Sequence, residues 1–61
     1  MEAMIEVAMQ LTAQEIKEAV IKIGGGYVAV DIRMARAALI DAYLRITSEE
    51  QADLLMDQIG M

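Results

Sequence analysis

The segment that most constrains the fold is residues 32–46, which carry apolar side chains on two faces of a predicted helix. One row has the alternating three- and four-residue spacing of a helix packed lengthwise against other helices. The second row points about 100° away around the helix axis. A helix that is apolar over so much of its circumference needs cover on more than one side. The first row is Ile32, Ala35, Leu39, Ala42 and Ile46, and the second is Ala37, Ile40 and Leu44.

A shorter helix is predicted before this segment, over residues 13–23. Thr12 and Glu15 have the spacing of a capping box, in which each side chain bonds the backbone N–H of the other residue. Leu11 and Ile16 stand at the two positions of a hydrophobic staple. A run of three glycines follows, and Gly24 is a natural helix end because glycine accepts positive φ at no steric cost.

Further capping signals place the central helix at residues 31–46 and a third helix at residues 49–59. Asp31 is a candidate N-cap for the central helix. The third helix begins with a capping box made either by Thr47 with Glu50 or by Ser48 with Gln51. These signals predict a mainly α, small three-helix domain that occupies residues 1–61 as a single unit.

The N-terminal residues 4–10 are open to two interpretations. Ile5, Val7 and Met9 alternate with polar or small residues, which favours a short strand or an extended arm. The alternative is one long helix that starts near Glu2, since Ala, Met and Glu are good helix formers. The capping box that follows favours a separate element here, so the strand or arm is the prediction.

Size and composition predict an obligate or near-obligate homo-oligomer. A chain of 61 residues forms only a marginal core, and without Cys or His it lacks disulfides and the usual zinc ligands. Its apolar fraction is nevertheless 57%, and its mean hydropathy is +0.40. Self-association is the remaining source of stability. The residues predicted to share the interface are Leu39, Ile40, Tyr43 and Leu44.

Charge and hydropathy exclude several classes of protein. Charged residues interrupt every apolar run, so no membrane-spanning helix is predicted, and the absence of a signal-peptide pattern favours a cytoplasmic location. The net charge of −5 disfavours nucleic acid as a partner, because unspecific binding depends on phosphate neutralisation by Lys and Arg. Without His or Cys the usual general bases and nucleophile pairs are missing. We therefore predict no enzyme, no catalytic residue, no metal and no cofactor.

The glycine run also suggests a small-anion or nucleotide site. Glycines permit close approach of backbone N–H groups, and the N-terminus of the following helix carries a partial positive charge. The side chains that would complete such a site lie just beyond the glycines, two of them cationic and one aromatic. The predicted residues are Gly24, Gly25, Gly26, Tyr27, Arg33 and Arg36.

Residues 4–46 resemble the ribbon-helix-helix family of DNA-binding proteins. An alternating strand, a Thr-capped helix, a glycine turn and a second helix occur in that order. The resemblance implies that the strand enters the DNA groove. That strand would present Glu6, Ala8 and Gln10 without any Lys or Arg, which departs from the donors that base reading needs. A DNA-binding regulator is therefore kept as the second alternative.

The principal prediction is a small acidic interaction or regulatory protein that assembles with itself and binds another macromolecule. Its size and composition are those of inhibitor-like, antitoxin-like and phage-encoded regulatory proteins. The predicted partner is a protein with a basic surface, because Glu49, Asp53 and Asp57 form one like-charged row on the third helix.

Overall fold

Four helices make up the fold in the computed structural model, which describes residues 2–60. They are α1 (Glu2–Gln10), α2 (Ala13–Lys22), α3 (Ile32–Leu44) and α4 (Glu49–Ile59), and this described range contains no strand. Helix α2 packs against both α3 and α4, and α1 packs against α3. The prediction of a mainly helical fold is confirmed, but the predicted number of three helices is wrong because residues 2–60 form four. The central helix ends two residues earlier than expected.

The prediction of a strand or arm over residues 4–10 is wrong, because these residues belong to α1. Met4 and Ala8 are buried against the core, whereas Ile5 and Met9 are exposed. A lone strand would leave its backbone groups unpaired, but a helix satisfies them within the segment. The alternative of a single long helix also fails, since Thr12 has an extended backbone and interrupts it. The strand that the ribbon-helix-helix resemblance required is therefore not formed.

The capping box at the start of α2 is present in full. The Thr12 hydroxyl accepts a hydrogen bond from the Glu15 N–H at 3.1 Å, and the Glu15 carboxylate accepts one from the Thr12 N–H at 2.9 Å. Leu11 is half-buried and packs on the core, and Ile16 is fully buried in that core, which is consistent with a hydrophobic staple. These local bonds separate α2 from α1.

The cap of α3 is the predicted one, and the cap of α4 decides between the two capping boxes that the sequence left open. The Asp31 carboxylate accepts from the Met34 N–H at 2.8 Å and begins α3. At α4 the cap is Ser48 and not Thr47, since the Ser48 hydroxyl accepts from the Gln51 N–H at 3.2 Å. The Gln51 side chain does not complete the capping box. Its amide donates to the Ile23 carbonyl at 3.2 Å and ties the first turn of α4 to the end of α2.

Helix α2 ends in a Schellman motif, with Gly24 in the left-handed region at φ 82°. The Gly24 N–H donates to the Ile21 carbonyl at 2.9 Å, and the Gly25 N–H donates to the Val20 carbonyl at 3.0 Å. These two bonds are the pattern that defines the motif. The role of Gly24 as a helix stop is confirmed.

Helix α3 lies at the centre of the core, and its two apolar rows have different environments. In the first row Leu39 and Ala35 are fully buried. In the second row Leu44 is 64% exposed and Ile40 is half-buried. The radius of gyration is 10.2 Å, close to the roughly 10.5 Å expected for a compact chain of this length. The core draws on all four helices and consists of Met4, Ala8, Ile16, Ala19, Val20, Ile23, Ala35, Leu39, Ala42 and Leu55.

Candidate functional site

The connection between α2 and α3 turns back along the side of α3. A Cβ atom placed on Gly25 would lie 4.0 Å from the Ala42 Cβ, so the connection starts beside the C-terminal half of α3. Val28 lines a groove together with Ala38, one turn closer to the N-terminus. The chain then enters α3 at Ile32, about 15 Å along the axis from Ala42 at 1.5 Å per helical residue. Seven residues cover this distance at roughly 2 Å per residue, which is a longer rise than the 1.5 Å of an α-helix.

Residues 26–30 of this connection form an unpaired segment, which we call the open segment. Its side chains alternate, because Tyr27 and Ala29 pack on the core whereas Val28 and Val30 are 83% and 82% exposed. Such period-two alternation is characteristic of extended backbone. Within the described part of the chain, no backbone hydrogen bond involves these five residues. The open segment thus has the character of a single strand without a neighbour.

A groove of about 640 Å³ is lined by the glycine run, the C-terminal half of α3 and the start of α4. Its apolar wall comes mainly from α3 and the segments that flank it. Its polar rim contains an ion pair on α3, in which the Arg45 Nε lies 3.0 Å from the Asp41 carboxylate. The groove is lined by Ile23, Gly24, Gly25, Gly26, Val28, Ala38, Asp41, Ala42, Arg45, Ile46 and Gln51.

The structure separates the residues of the predicted anion site. The three glycines line the groove, but Tyr27, Arg33 and Arg36 do not. Both arginines lie in the first turns of α3, about 9–14 Å along the axis from Ala42, where the glycine run packs. Arg36 is half-buried, and within residues 2–60 its buried Nε has no hydrogen-bond partner. The cation that lines the groove together with the glycines is Arg45, which follows the C-terminus of α3.

The predicted acidic row lies on the exposed face of α4 and is broader than expected. Glu50, Asp53 and Asp57 surround Leu54, which is 37% exposed, in a shallow depression of about 410 Å³. Glu49 is exposed beside them. In the described range the sole ion pair joins Asp41 to Arg45 on α3, so these carboxylates have no cationic partner there. We call Glu50, Asp53, Leu54 and Asp57 the acidic face.

Sequence reasoning missed Glu50 and Leu54 as members of this face. Their spacing was a usable signal, because positions i, i+3, i+4 and i+7 share one side of a helix. The capping-box pattern assigns Glu50 to the start of the helix, and no local pattern assigns Leu54 to a face. Leu55 is the fully buried neighbour that holds α4 on the core.

The predicted self-association residues fall into two groups. Leu39 has 0% exposure and is covered within the single chain, so a second copy cannot contact it in this fold. Ile40 and Tyr43 are half-buried, and Leu44 is exposed at the end of α3. The interface predicted on α3 is therefore reduced to three residues.

Other searches of the described residues give negative results. Residues 2–60 contain no group of three or more Asp or Glu side chains arranged to hold a metal ion. None of the helices in that range is long and apolar enough to cross a membrane. Comparison of the chain with protein-family models, curated proteins and solved structures gives no match.

Proposed function

We propose that this chain is a small interaction protein that assembles with itself and binds another protein through the acidic face of α4. The observation that carries the proposal is the arrangement of three exposed carboxylates around Leu54, with no cationic partner in the described chain. A complementary surface would present Lys or Arg around one apolar side chain. Such complementarity increases the association rate and the specificity of a protein complex.

The placement of these charges is unfavourable for the isolated helix, which supports a role in binding. Asp53 and Asp57 are an i,i+4 pair of like charge, which costs roughly 0.2–0.5 kcal/mol. Asp57 also lies in the last turn, where the helix dipole favours a cation. Helix stability alone would favour Lys or Arg there.

The test compares two double variants that change net charge equally. Asp53→Asn with Asp57→Asn alters the acidic face, and Glu6→Gln with Glu18→Gln alters exposed carboxylates on α1 and α2. The probe is a synthetic helical peptide with Lys and Arg around one Leu, titrated into isotope-labelled protein and followed by NMR. We expect shifts centred on α4, with affinity lost in the first variant and retained in the second.

Salt and stability measurements complete the test. Binding to the acidic face should weaken as ionic strength rises, because exposed charges are screened over about 10 Å at 0.1 M salt. Thermal stability of the Asp53→Asn, Asp57→Asn variant should be unchanged or slightly higher. Equal affinity in both variants, or shifts that map away from α4, would show that the acidic face is not the binding site.

A further inference from the structure

We infer that two copies of this chain join through the open segment, residues 26–30, which pair as antiparallel strands about a two-fold axis. The inference rests on the self-assembly part of the proposed function and specifies its interface. It replaces the exposed end of α3 as the main contact.

The first argument is the state of the backbone. In the described chain the N–H and C=O groups of residues 26–30 make no backbone hydrogen bonds, and alternate side chains of the segment are exposed. An unpaired extended segment is a template for a strand from another chain. Proteins that prevent such pairing place Lys or Pro on the edge. From Ile23 to Val30 this chain has no charged residue and no proline.

The second argument is charge, because two copies of an acidic chain meet most easily where their surfaces carry no charge. Two copies with a net charge of −5 each repel one another, most strongly where their α4 helices approach. The uncharged stretch that contains the open segment allows contact without any like-charged pair. Val28 and Val30 are also the most exposed large apolar residues described, and β-branched residues on neighbouring strands stabilise a sheet.

The register of the pairing follows from the two faces of the segment. Tyr27 and Ala29 face the core of their own copy. If the cores of both copies lie on the same side of the two-stranded ribbon, a residue that faces one core must lie opposite a residue that faces the other core. Asp31 already caps α3 and is not available for pairing. A ribbon confined to residues 26–30 is then centred on Val28, which lies opposite Val28 of the second copy.

This register gives a test with a matched control, because the chain contains no cysteine. Val28→Cys places the introduced cysteines of the two copies opposite each other, with their Cα atoms about 4.5–5.5 Å apart. Val30→Cys has the same exposure, but its Cα atoms would be about 14 Å apart, at roughly 3.4 Å per residue. A disulfide needs a Cα separation below about 7 Å.

Under mild oxidation we expect Val28→Cys to form a covalent dimer at least about tenfold faster than Val30→Cys. Only at position 28 are the two Cα atoms close enough for a disulfide. Random collision would give both variants the same rate, because their side chains are equally exposed. Equal rates, or faster cross-linking of Val30→Cys, would overturn the inference.

Sedimentation equilibrium separates this inference from the proposed function. Wild-type protein should form a dimer of the 6.7 kDa chain, and Val28→Lys with Val30→Lys should dissociate it. Leu44→Lys, on the competing surface of α3, should leave the dimer intact. If Leu44→Lys dissociates the dimer and the double variant does not, the pairing of the open segments is overturned, but self-assembly is still supported. A monomeric wild-type chain would refute both.

Discussion

Replacing each of the three consecutive glycines by alanine tests how the connection between α2 and α3 is held. The three positions have the same chemistry but different constraints. Gly24 has a φ of 82° and open space around it. Gly25 has no positive φ, but an added Cβ would lie 3.0 Å from the Val20 Cγ1 and 3.2 Å from the Val20 carbonyl oxygen. Gly26 has neither constraint.

These differences predict a definite order of stability. Gly24→Ala introduces left-handed strain of about 1–2 kcal/mol. Alanine also reduces the entropy of the unfolded chain by about 0.4–1 kcal/mol, so the net loss is about 1 kcal/mol. Gly25→Ala should cost about 1–3 kcal/mol by overpacking. The Val20 carbonyl cannot move away freely because it accepts the 3.0 Å bond from the Gly25 N–H. Gly26→Ala should stabilise the protein by about 0.4–1 kcal/mol.

Urea and thermal unfolding followed by circular dichroism would measure these differences. In a domain of this size 1 kcal/mol shifts the melting temperature by about 4–8 °C. All variants must be compared at one protein concentration, because any self-association would add to the apparent stability. If Gly26→Ala were as destabilising as Gly24→Ala, the left-handed backbone assigned to Gly24 would be contradicted. A neutral Gly25→Ala would contradict the overpacking against Val20.

Two further pairs of variants test the attachment of α4. Ser48→Ala should destabilise the protein by about 1 kcal/mol through loss of the N-cap, whereas Thr47→Ala should change its stability by less than about 0.5 kcal/mol. Leu55→Ala should lower the free energy of unfolding by about 2–5 kcal/mol, because it leaves a cavity in the core. Leu54→Ala, on the exposed face, should lower it by about 1 kcal/mol. Urea unfolding checks both pairs. Equal losses within either pair would contradict the cap or the burial assigned here.

Sequence reasoning succeeded where the stabilising interactions are local. The Thr12 capping box, the Asp31 cap and the glycine stop after α2 join residues at most five positions apart. The periodicity of residues 32–46 likewise identified Leu39 as part of the central row, and this residue is fully buried. Such features depend on backbone geometry and on neighbours along the chain.

The candidate sites were only partly visible in the sequence. The acidic row was recognised because its spacing is helical, but its centre at Leu54 depended on which side of α4 is buried. The glycine run was recognised as a turn, yet the cation that lines the same groove is Arg45 and not Arg33 or Arg36. That difference arises because the connection runs back along α3, and no local pattern specifies this direction.

Tertiary structure alone decided the remaining features. Residues 4–10 combine a strand-like alternating pattern with helix-forming residues, so the sequence is compatible with either structure. In the fold they form a helix, and its Met4 and Ala8 side chains are buried in the core. The bond from the Gln51 amide to the Ile23 carbonyl joins residues 28 positions apart. The exposure of Val28 and Val30 depends equally on which surfaces the helices cover. The sequence by itself determined, to within one residue, where α2 and α4 begin and end and where α3 begins, because capping and stop signals act between residues close together in the chain. The packing determined which apolar and charged faces remain exposed, because exposure depends on partners distant in the chain.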